Sequence, residues 1–403
     1  MIKRIAVTQL RLGMHVHEFC GSWMDHPFWR SKFTLRKQSD LQRILDGGVK
    51  DLWIDTAKGA DVVGGIDRAQ VDATVERALI SAASATVGRA ARAQTGDEYD
   101  RAATIVRRTV PRISALFEDS RLGRAVQCAD FKSMVEEISE SVHRHPSALI
   151  SVARLKQRDT YTYMHSVAVC ALMLALGRQL GLRGDALMDA GLAGMMHDLG
   201  KVAIPLEVLN KPGKLTNAEF DLMKTHPERG HELLAAGHAG AAVLDVCLHH
   251  HEKIDGSGYP YGLGGEDISL LARMGAVCDV YDAVTSVRPY KDGWDPGEAL
   301  RRMAQWTGHF DPTVFQAFVK TVGIYPVGSL VRLQSGRLAV VAAQSPSSLL
   351  TPSVKVFFST ETGLRFEPYI LDLSGKQCQD KVVACESPEV WNFEDLGQLV
   401  SAA

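Results

Sequence analysis

No pair of cysteines has CxxC spacing; the seven cysteines, at 20, 128, 170, 247, 278, 378 and 385, are scattered and odd in number. This excludes a disulfide framework and predicts free thiols in a reducing compartment, so a cytoplasmic location is expected. Long apolar runs are also missing. The ten residues from Ala168 to Gly177 fall short of the roughly 18 to 20 that a membrane span needs. Lys3 and Arg4 open the chain, but Gln9 and Arg11 interrupt the apolar stretch too early for a signal peptide. Neither sign of charge dominates: 45 Lys plus Arg face 47 Asp plus Glu, for a net charge of −2. With no basic stripe and no recognition helix, nothing points to a nucleic-acid polymer, and any anionic ligand must be held by local groups.

What is present is ordinary globular composition, 46% hydrophobic and 23% charged over 403 residues, which excludes a largely disordered chain. Because single cores stop growing near about 250 to 300 residues, more than one domain is expected. Residues 1–66 alternate in short runs (Ile5, Val7; Met14, Val16; Leu52, Ile54) punctuated by Gly13, Gly47-Gly48 and Gly64-Gly65. They read as a small α+β domain, with a short helix over Leu41 to Leu45 after Ser39-Asp40. Residues 67–120 are rich in Ala and Arg and carry apolar stripes at helical spacing, Val71, Val75, Leu79, Ile80 and then Ile105, Val106, Ile113, Leu116. A helical linker is predicted there. Pairing of these helices into a homodimer is an open alternative, although clean heptads are not sustained.

Residues 121–322 read as mostly helical, with amphipathic stretches at 131–143, 147–158, 161–180, 185–200, 217–235 and 269–287. From 323 to 403 strand patterns take over, at Leu330 with Arg332, Leu338 to Val341 and Val354 to Phe358. The predicted fold class is therefore mainly α: a helical bundle flanked by a small α+β N-terminal domain and a β-rich C-terminal segment.

Eight of the fourteen histidines (165, 197, 226, 231, 238, 249, 250 and 251) fall within the 87 residues from 165 to 251. A lone histidine is usually a surface or hydrogen-bonded core residue, but a cluster accompanied by Asp198 and Asp279 points to a metal site. Imidazole and carboxylate without thiolate suit iron, manganese or zinc. His197-Asp198 closes an apolar helical segment, where adjacent side chains point about 100° apart and can bracket a metal. Gly200 then lets the backbone turn, keeping Lys201 near the same place. His250-His251 offers two imidazoles at another helix end. The run Asp255-Gly256-Ser257-Gly258-Tyr259-Pro260 is an ordinary turn or, with its glycines, a loop whose N–H groups can approach a phosphate.

Together, His165-Ser166, His197-Asp198-Leu199-Gly200-Lys201, Ile204-Pro205, Asn210-Lys211-Pro212-Gly213, His226-Pro227, His250-His251-Glu252, the Asp255–Pro260 run, Asp279-Val280-Tyr281-Asp282-Ala283 and Arg288-Pro289-Tyr290-Lys291 resemble an HD-GYP domain. That family is a branch of the HD hydrolases that degrades the bacterial second messenger cyclic di-GMP. The resemblance covers roughly residues 140–322. The first 66 residues, with LRLGMHV, HPF and GVKDLWIDTAKG, resemble the small domain of unknown role often found ahead of it, and the segment from Tyr325 also recurs in such proteins.

The resemblance implies metal ligands at His165, His197, Asp198, His226, His250, His251 and Asp279, with Asp198 bridging two divalent ions, iron first and manganese as its competitor. It implies that Lys201 acts with Asp198 in catalysis and contacts the scissile phosphate. It implies that Asp282, Arg288 and Lys291 contact substrate, and that Gly258 and Tyr259 shape the loop. Family members with a third metal use a Glu one helical turn before the first histidine; here that position is Tyr161, so two metals are expected. The implied reaction is hydrolysis of cyclic di-GMP to linear pGpG, with GMP as a further product left open. The loop is also associated with partner domains of the GGDEF type that synthesise cyclic di-GMP. A catalytically silent cyclic di-GMP receptor and a hydrolase of cyclic GMP-AMP are the competing readings. His249, His231, His238, His309, His143 and His145 match no ligand position and are read as surface or supporting residues.

Overall fold

The computed structural model describes Met1 to Leu399 apart from residues 22–31, 48, 84–94, 125, 155–160, 212, 214, 287–292, 346–347, 376, 394–395 and 397–398. The HPF run at 26–28 therefore lies outside the described residues.

The alternating N-terminal runs form strands β1 (Ile2–Ala6), β2 (His15–Phe19), β3 (Phe33–Thr34), β4 (Asp51–Asp55) and β5 (Ile66–Asp67), with helix α1 (Gln38–Leu45) before β4. All pairings are antiparallel, in the order β3-β2-β4-β1-β5. Ile5 faces Leu52 across the sheet, and period-two spacing sends Val16, Leu52 and Ile54 inward onto Leu41 and Ile44 of α1. This small core is separate from the main one.

Helices α2 (Arg68–Ala83) and α3 (Thr95–Arg121) follow. They do not stand clear of the bundle as a spacer. Val71, Val75, Leu79, Ile105, Ile113 and Phe117 are buried in the same core as the helices that follow. Of the two stripes, Val71, Val75, Leu79, Ile105, Val106 and Ile113 are covered within the chain, whereas Ile80 is exposed. Glu98 of α3 has a fully buried side chain; it accepts from Arg144 at 3.0 and 3.1 Å and from Ser141 at 3.1 Å.

The bundle comprises α4 (Ala129–Arg144), α5 (Pro146–Arg154), α6 (Tyr161–Gln179), α7 (Gly184–Met196), α8 (Leu206–Leu209), α9 (Asn217–Met223), α10 (His226–Ala236), α11 (Ala241–His249), α12 (Leu270–Thr285), α13 (Pro296–Ala304) and α14 (Pro312–Val322). Every residue from Val167 to Leu176 is buried. A helix that is apolar all round belongs at the centre of a bundle, and α6 packs against α5, α7 and α12 there. Each large aliphatic side chain so buried contributes about 1.5 to 3 kcal/mol.

The single stretch expected over 217–235 is two helices. Thr216 and Glu219 close a capping box on α9; the chain then breaks at Lys224-Thr225, and Pro227 lies in the first turn of α10. Helices α11, α13 and α14 lie outside the amphipathic stretches anticipated above. The last two carry a signature the sequence displays: Asp295 and Asp311 each cap two backbone N–H groups, with Pro296 and Pro312 next.

Past Gly323, strands β6 (Leu330–Leu333), β7 (Arg337–Ala343), β8 (Ser353–Ser359), β9 (Leu364–Asp372) and β10 (Val382–Cys385) make an antiparallel sheet ordered β10-β6-β7-β8-β9, followed by the short helix α15 (Pro388–Trp391). One face, with Val331, Val354 and Val356, joins the main core, while Leu330, Leu338 and Phe357 of the other pack against Trp391 and Phe393.

Candidate metal centre

Five helices bring the histidines and Asp279 to one point. His165 lies early in α6, His197 caps the end of α7, His226 begins α10, His250 caps α11 with His251 next, and Asp279 lies within α12. Asp198 opens a 3-10 turn over Leu199–Ala203. All seven belong to close groups of potential ligand atoms: His226 with His250 and His251, His165 with His197 and Asp279, and His197 with Asp198 and His250. The structure thus brings together every metal ligand expected from the sequence.

Backbone carbonyls settle the tautomers. Nδ1 of His197 lies 2.8 Å from Gly194 O, that of His226 2.8 Å from Met223 O, and that of His250 3.0 Å from Cys247 O. A carbonyl only accepts, so each Nδ1 carries a proton and each ring turns its Nε2 inward, with a lone pair there in the neutral rings of His226 and His250. Nε2 of His226 and Nε2 of His250 then face each other at 3.4 Å. Two lone pairs at that separation repel unless a cation lies between them.

Three more buried polar atoms, His197 Nε2, Asp198 Oδ1 and Asp279 Oδ2, have no hydrogen-bond partner among the described residues. Buried groups left unpaired are costly, and a metal ion is what this donor set would satisfy. Asp198 divides its two oxygens. Oδ1 is 3.3 Å from His226 Nε2 and 3.9 Å from His250 Nε2, whereas Oδ2 is 3.5 Å from His165 Nε2 and 3.4 Å from His197 Nε2. Nδ1 of His251 lies 3.9 Å from Asp279 Oδ2.

Electrostatics agree with this reading. Burial acts to raise the pKa of Asp198, but Lys201 and His197 outweigh it and hold the carboxyl well below the usual range. Burial is likewise outweighed at Asp279 by His165 and His197. His250 is pushed down to about 3 by burial and by His197 and His226, and His251 is lowered for the same kinds of reason. His197 is the exception: burial opposes its proton, but Asp198 and Asp279 raise it to about 10. Ionised carboxylates beside two imidazoles that resist protonation, His250 and His251, fit a divalent cation, and nitrogen with oxygen donors fits iron, manganese or zinc.

The remaining expected site residues divide. Nζ of Lys201 lies 2.5 Å from Asp198 Oδ2 and stays partly open to solvent. Asp282 does not face the ligand side. Its carboxylate is buried, Oδ2 stands 2.5 Å from His165 Nδ1, and Oδ1 accepts from Ser286 Oγ at 3.4 Å. Asp282, expected from the resemblance to contact substrate, stands behind His165 with its carboxylate on the ring's Nδ1, where it can orient the imidazole. Arg288 and Lys291 lie outside the described residues, as does the side chain of Tyr161.

Tyr259 stacks on His251 with ring centroids 4.7 Å apart, and its N–H donates to His251 O at 3.3 Å. Gly256 and Gly262 supply the left-handed turns of this loop, at φ +75° and +67°. Gly258 serves a different need, since a Cβ there would come within 2.5 Å of Glu252 Cα and Lys253 N. Gly200 is a similar correction. The sequence suggested a turn, but a Cβ there would stand 1.8 Å from His226 O and 2.4 Å from Gly230 N. It allows two backbones to touch, which brings His226 to the HD pair.

Sequence reasoning gave no role to Glu252. It is buried, and its Oε1 accepts from Tyr261 N at 2.7 Å, tying down the far side of the loop. His249, read as supporting, pairs with Asp245 at 2.8 Å.

A helical bundle that gathers imidazoles and carboxylates around buried unpaired oxygens, with a lysine at the rim, defines a metal-dependent hydrolase. Residues 138–314 match the HD domain family, and residues 2–131 match a domain of unknown function, DUF3391. The chain is 54% identical over 402 residues to a cyclic di-GMP phosphodiesterase of Pseudomonas aeruginosa, covering 99% of this chain and 95% of that protein. It is 39% identical over 189 residues to a cyclic di-GMP phosphodiesterase response regulator of Xanthomonas campestris, 46% of this chain and 50% of the relative. A 3'3'-cGAMP-specific phosphodiesterase of Vibrio cholerae is 33% identical over 175 residues, 43% of this chain and 41% of the relative. The chain belongs to the HD-GYP family of HD-domain phosphodiesterases. No described helix is long and apolar enough to cross a membrane, and all seven cysteines are free.

Proposed function

We propose that this chain hydrolyses cyclic di-GMP to linear pGpG at a binuclear centre, with His165, His197 and Asp279 serving one metal, His226, His250 and His251 the other, and Asp198 both. The observation that carries the proposal is the division of Asp198: each oxygen faces a different pair of histidines. Tyr161 stands one turn before His165, where a third metal would call for a carboxylate. Iron is the metal we favour, manganese its competitor, and the free thiols suit work in the cytoplasm.

Bound there, two divalent ions supply a nucleophile at neutral pH and neutralise charge on the phosphodiester. The chain's own residues do the rest. Asp282 holds the Nδ1 proton of His165 and so fixes the ring's orientation. Lys201, paired with Asp198 and reachable from solvent, places an ammonium where a phosphate oxygen gains charge. Tyr259, stacked on His251, and Gly258 form the wall on which a guanine or its phosphate rests; Arg288 and Lys291 are carried as substrate contacts by the resemblance alone.

A second reading, cleavage of cyclic GMP-AMP, is favoured by the cGAMP-specific relatives of Vibrio cholerae. The two are separated by measuring turnover of both cyclic dinucleotides with products resolved by chromatography. The expected result is a preference for cyclic di-GMP of tenfold or more, by order of magnitude (~1.4 kcal/mol), with pGpG accumulating. A preference for cyclic GMP-AMP would overturn the substrate assignment, and tight binding of cyclic di-GMP without cleavage would overturn the enzymatic one.

A further inference from the structure

The N-terminal domain and α2 meet the catalytic domain through several polar contacts, one of which reaches the loop beside the metal centre. Arg4 pairs with Asp51 at 2.6 Å and reaches Thr307 Oγ1 at 3.4 Å. Glu18 of β2 pairs with Arg302, which also lies over the ring of Trp294 at 4.5 Å. Glu76 of α2 pairs with Arg301 at 3.2 Å. Lys50, immediately before β4, pairs with Asp255, the first residue of the loop that carries Gly258 and Tyr259.

Asp255 is built into its surroundings from several sides. Its N–H donates to Gly308 O at 3.0 Å, next to the Thr307 that Arg4 reaches. Its Oδ1 accepts from the N–H of Ser257 at 2.9 Å and from Ser257 Oγ at 2.5 Å. A Cβ at Gly308 would come within 2.4 Å of Oδ2, so there is no slack on that face. Four residues on, Tyr259 stacks on His251. A displacement of Asp255 is therefore transmitted through a tightly packed turn to a ring that lies on a metal ligand.

We propose that the N-terminal domain controls the substrate loop of the centre, with the Lys50–Asp255 ion pair as the coupling contact and Tyr259 as the responding residue. The proposal rests on the function assigned above and adds its regulation. A catalytic loop held by a half-exposed ion pair is held reversibly, because such pairs are weak and screened by salt. Whatever displaces the N-terminal domain, or competes for Lys50 with a negative charge, releases the loop. The Asp255 side of the loop is also occupied by the chain itself, so a partner docking on that side has to displace this domain first.

The test uses the full chain, comparing Lys50→Glu and Lys50→Arg with the natural protein by hydrogen exchange over residues 255–261, metal content, KM and kcat. Lys50→Glu is expected to raise loop exchange and KM by about fivefold, the low end of coupling between sites. Metal content and exchange across α6 and α12 stay unchanged, and Lys50→Arg behaves as the natural protein. Unchanged loop exchange in Lys50→Glu would overturn the proposal, as would faster exchange with unaltered KM and kcat. The exchange measurement needs no turnover, so failure of the phosphodiesterase assignment would show separately, as absence of product in the natural protein.

Discussion

At the scale of single residues, the centre is built by what stands behind each imidazole. Three rings are oriented by backbone carbonyls and one by a carboxylate, Asp282 behind His165. Asp279 and Asp282 are three residues apart on α12, hence on one helix face, yet one aims into the centre and the other at the back of a ring. Asp282→Asn is expected to lower metal affinity by about 10- to 100-fold, leaving KM unaltered once metal is restored, as a metal titration followed by kinetics would reveal. A rise in KM with full metal occupancy would instead make Asp282 a substrate contact. The histidine cluster was legible because eight of the fourteen histidines fall between 165 and 251, and the family resemblance then singled out the seven candidate ligands. The role of Asp282 was not, because it depends on the depth at which two helices cross.

Among elements, close approach matters more than turning. The 3-10 turn over Leu199–Ala203 crosses α10 at Gly200 and Gly230, and a Cβ on Gly200 would overlap His226 O. Gly200→Ala should cost about 3 kcal/mol through overpacking. By shifting His226 it should also reduce metal content, to be measured by thermal unfolding and metal analysis. A variant with natural stability and metal content would show that the crossing is more tolerant than its geometry implies.

The contact between α3 and α4 provides a pH-dependent case. At Glu98 burial acts to raise the pKa from its ordinary 4.5, but the hydrogen bonds from Arg144 and Ser141 outweigh it and lower it. Its contribution is therefore complete above pH 4.5 and is lost as pH falls through the lowered native value. Glu98→Gln should destabilise by about 3 kcal/mol at neutral pH, the low end for breaking a buried pair because Arg144 reaches solvent. It should also flatten this part of the acid-unfolding curve measured with urea. Elements of this kind were partly legible: long apolar helices such as α6 declare themselves, and Asp-Pro marks α13 and α14. The break between α9 and α10 was masked because hydrophobic spacing continues across it.

For the whole molecule, the metal centre acts as a tie between five helices that otherwise direct lone pairs and negative charge at one another. A bound ion stabilises the folded state by about 4 kcal/mol at a thousandfold excess over its dissociation constant. Chelation is accordingly expected to lower the Tm, and re-addition of metal to restore it. An unchanged Tm after verified metal removal would contradict this account of the buried unpaired atoms. The general plan, two small sheets flanking a helical bundle, followed from periodicity along the chain. That α2 and α3 belong to the bundle's core did not, because an amphipathic stripe names no partner.

The most direct measurement is turnover of cyclic di-GMP by anaerobically purified full-length protein, with metal counted on the same sample and the His197→Ala, Asp198→Ala double variant as control. The account predicts about two ions per chain, one for each histidine pair that an Asp198 oxygen faces, linear pGpG as the product, and loss of both in the double variant. Fully loaded protein that binds cyclic di-GMP without cleaving it, or turnover that survives in the double variant, would contradict it.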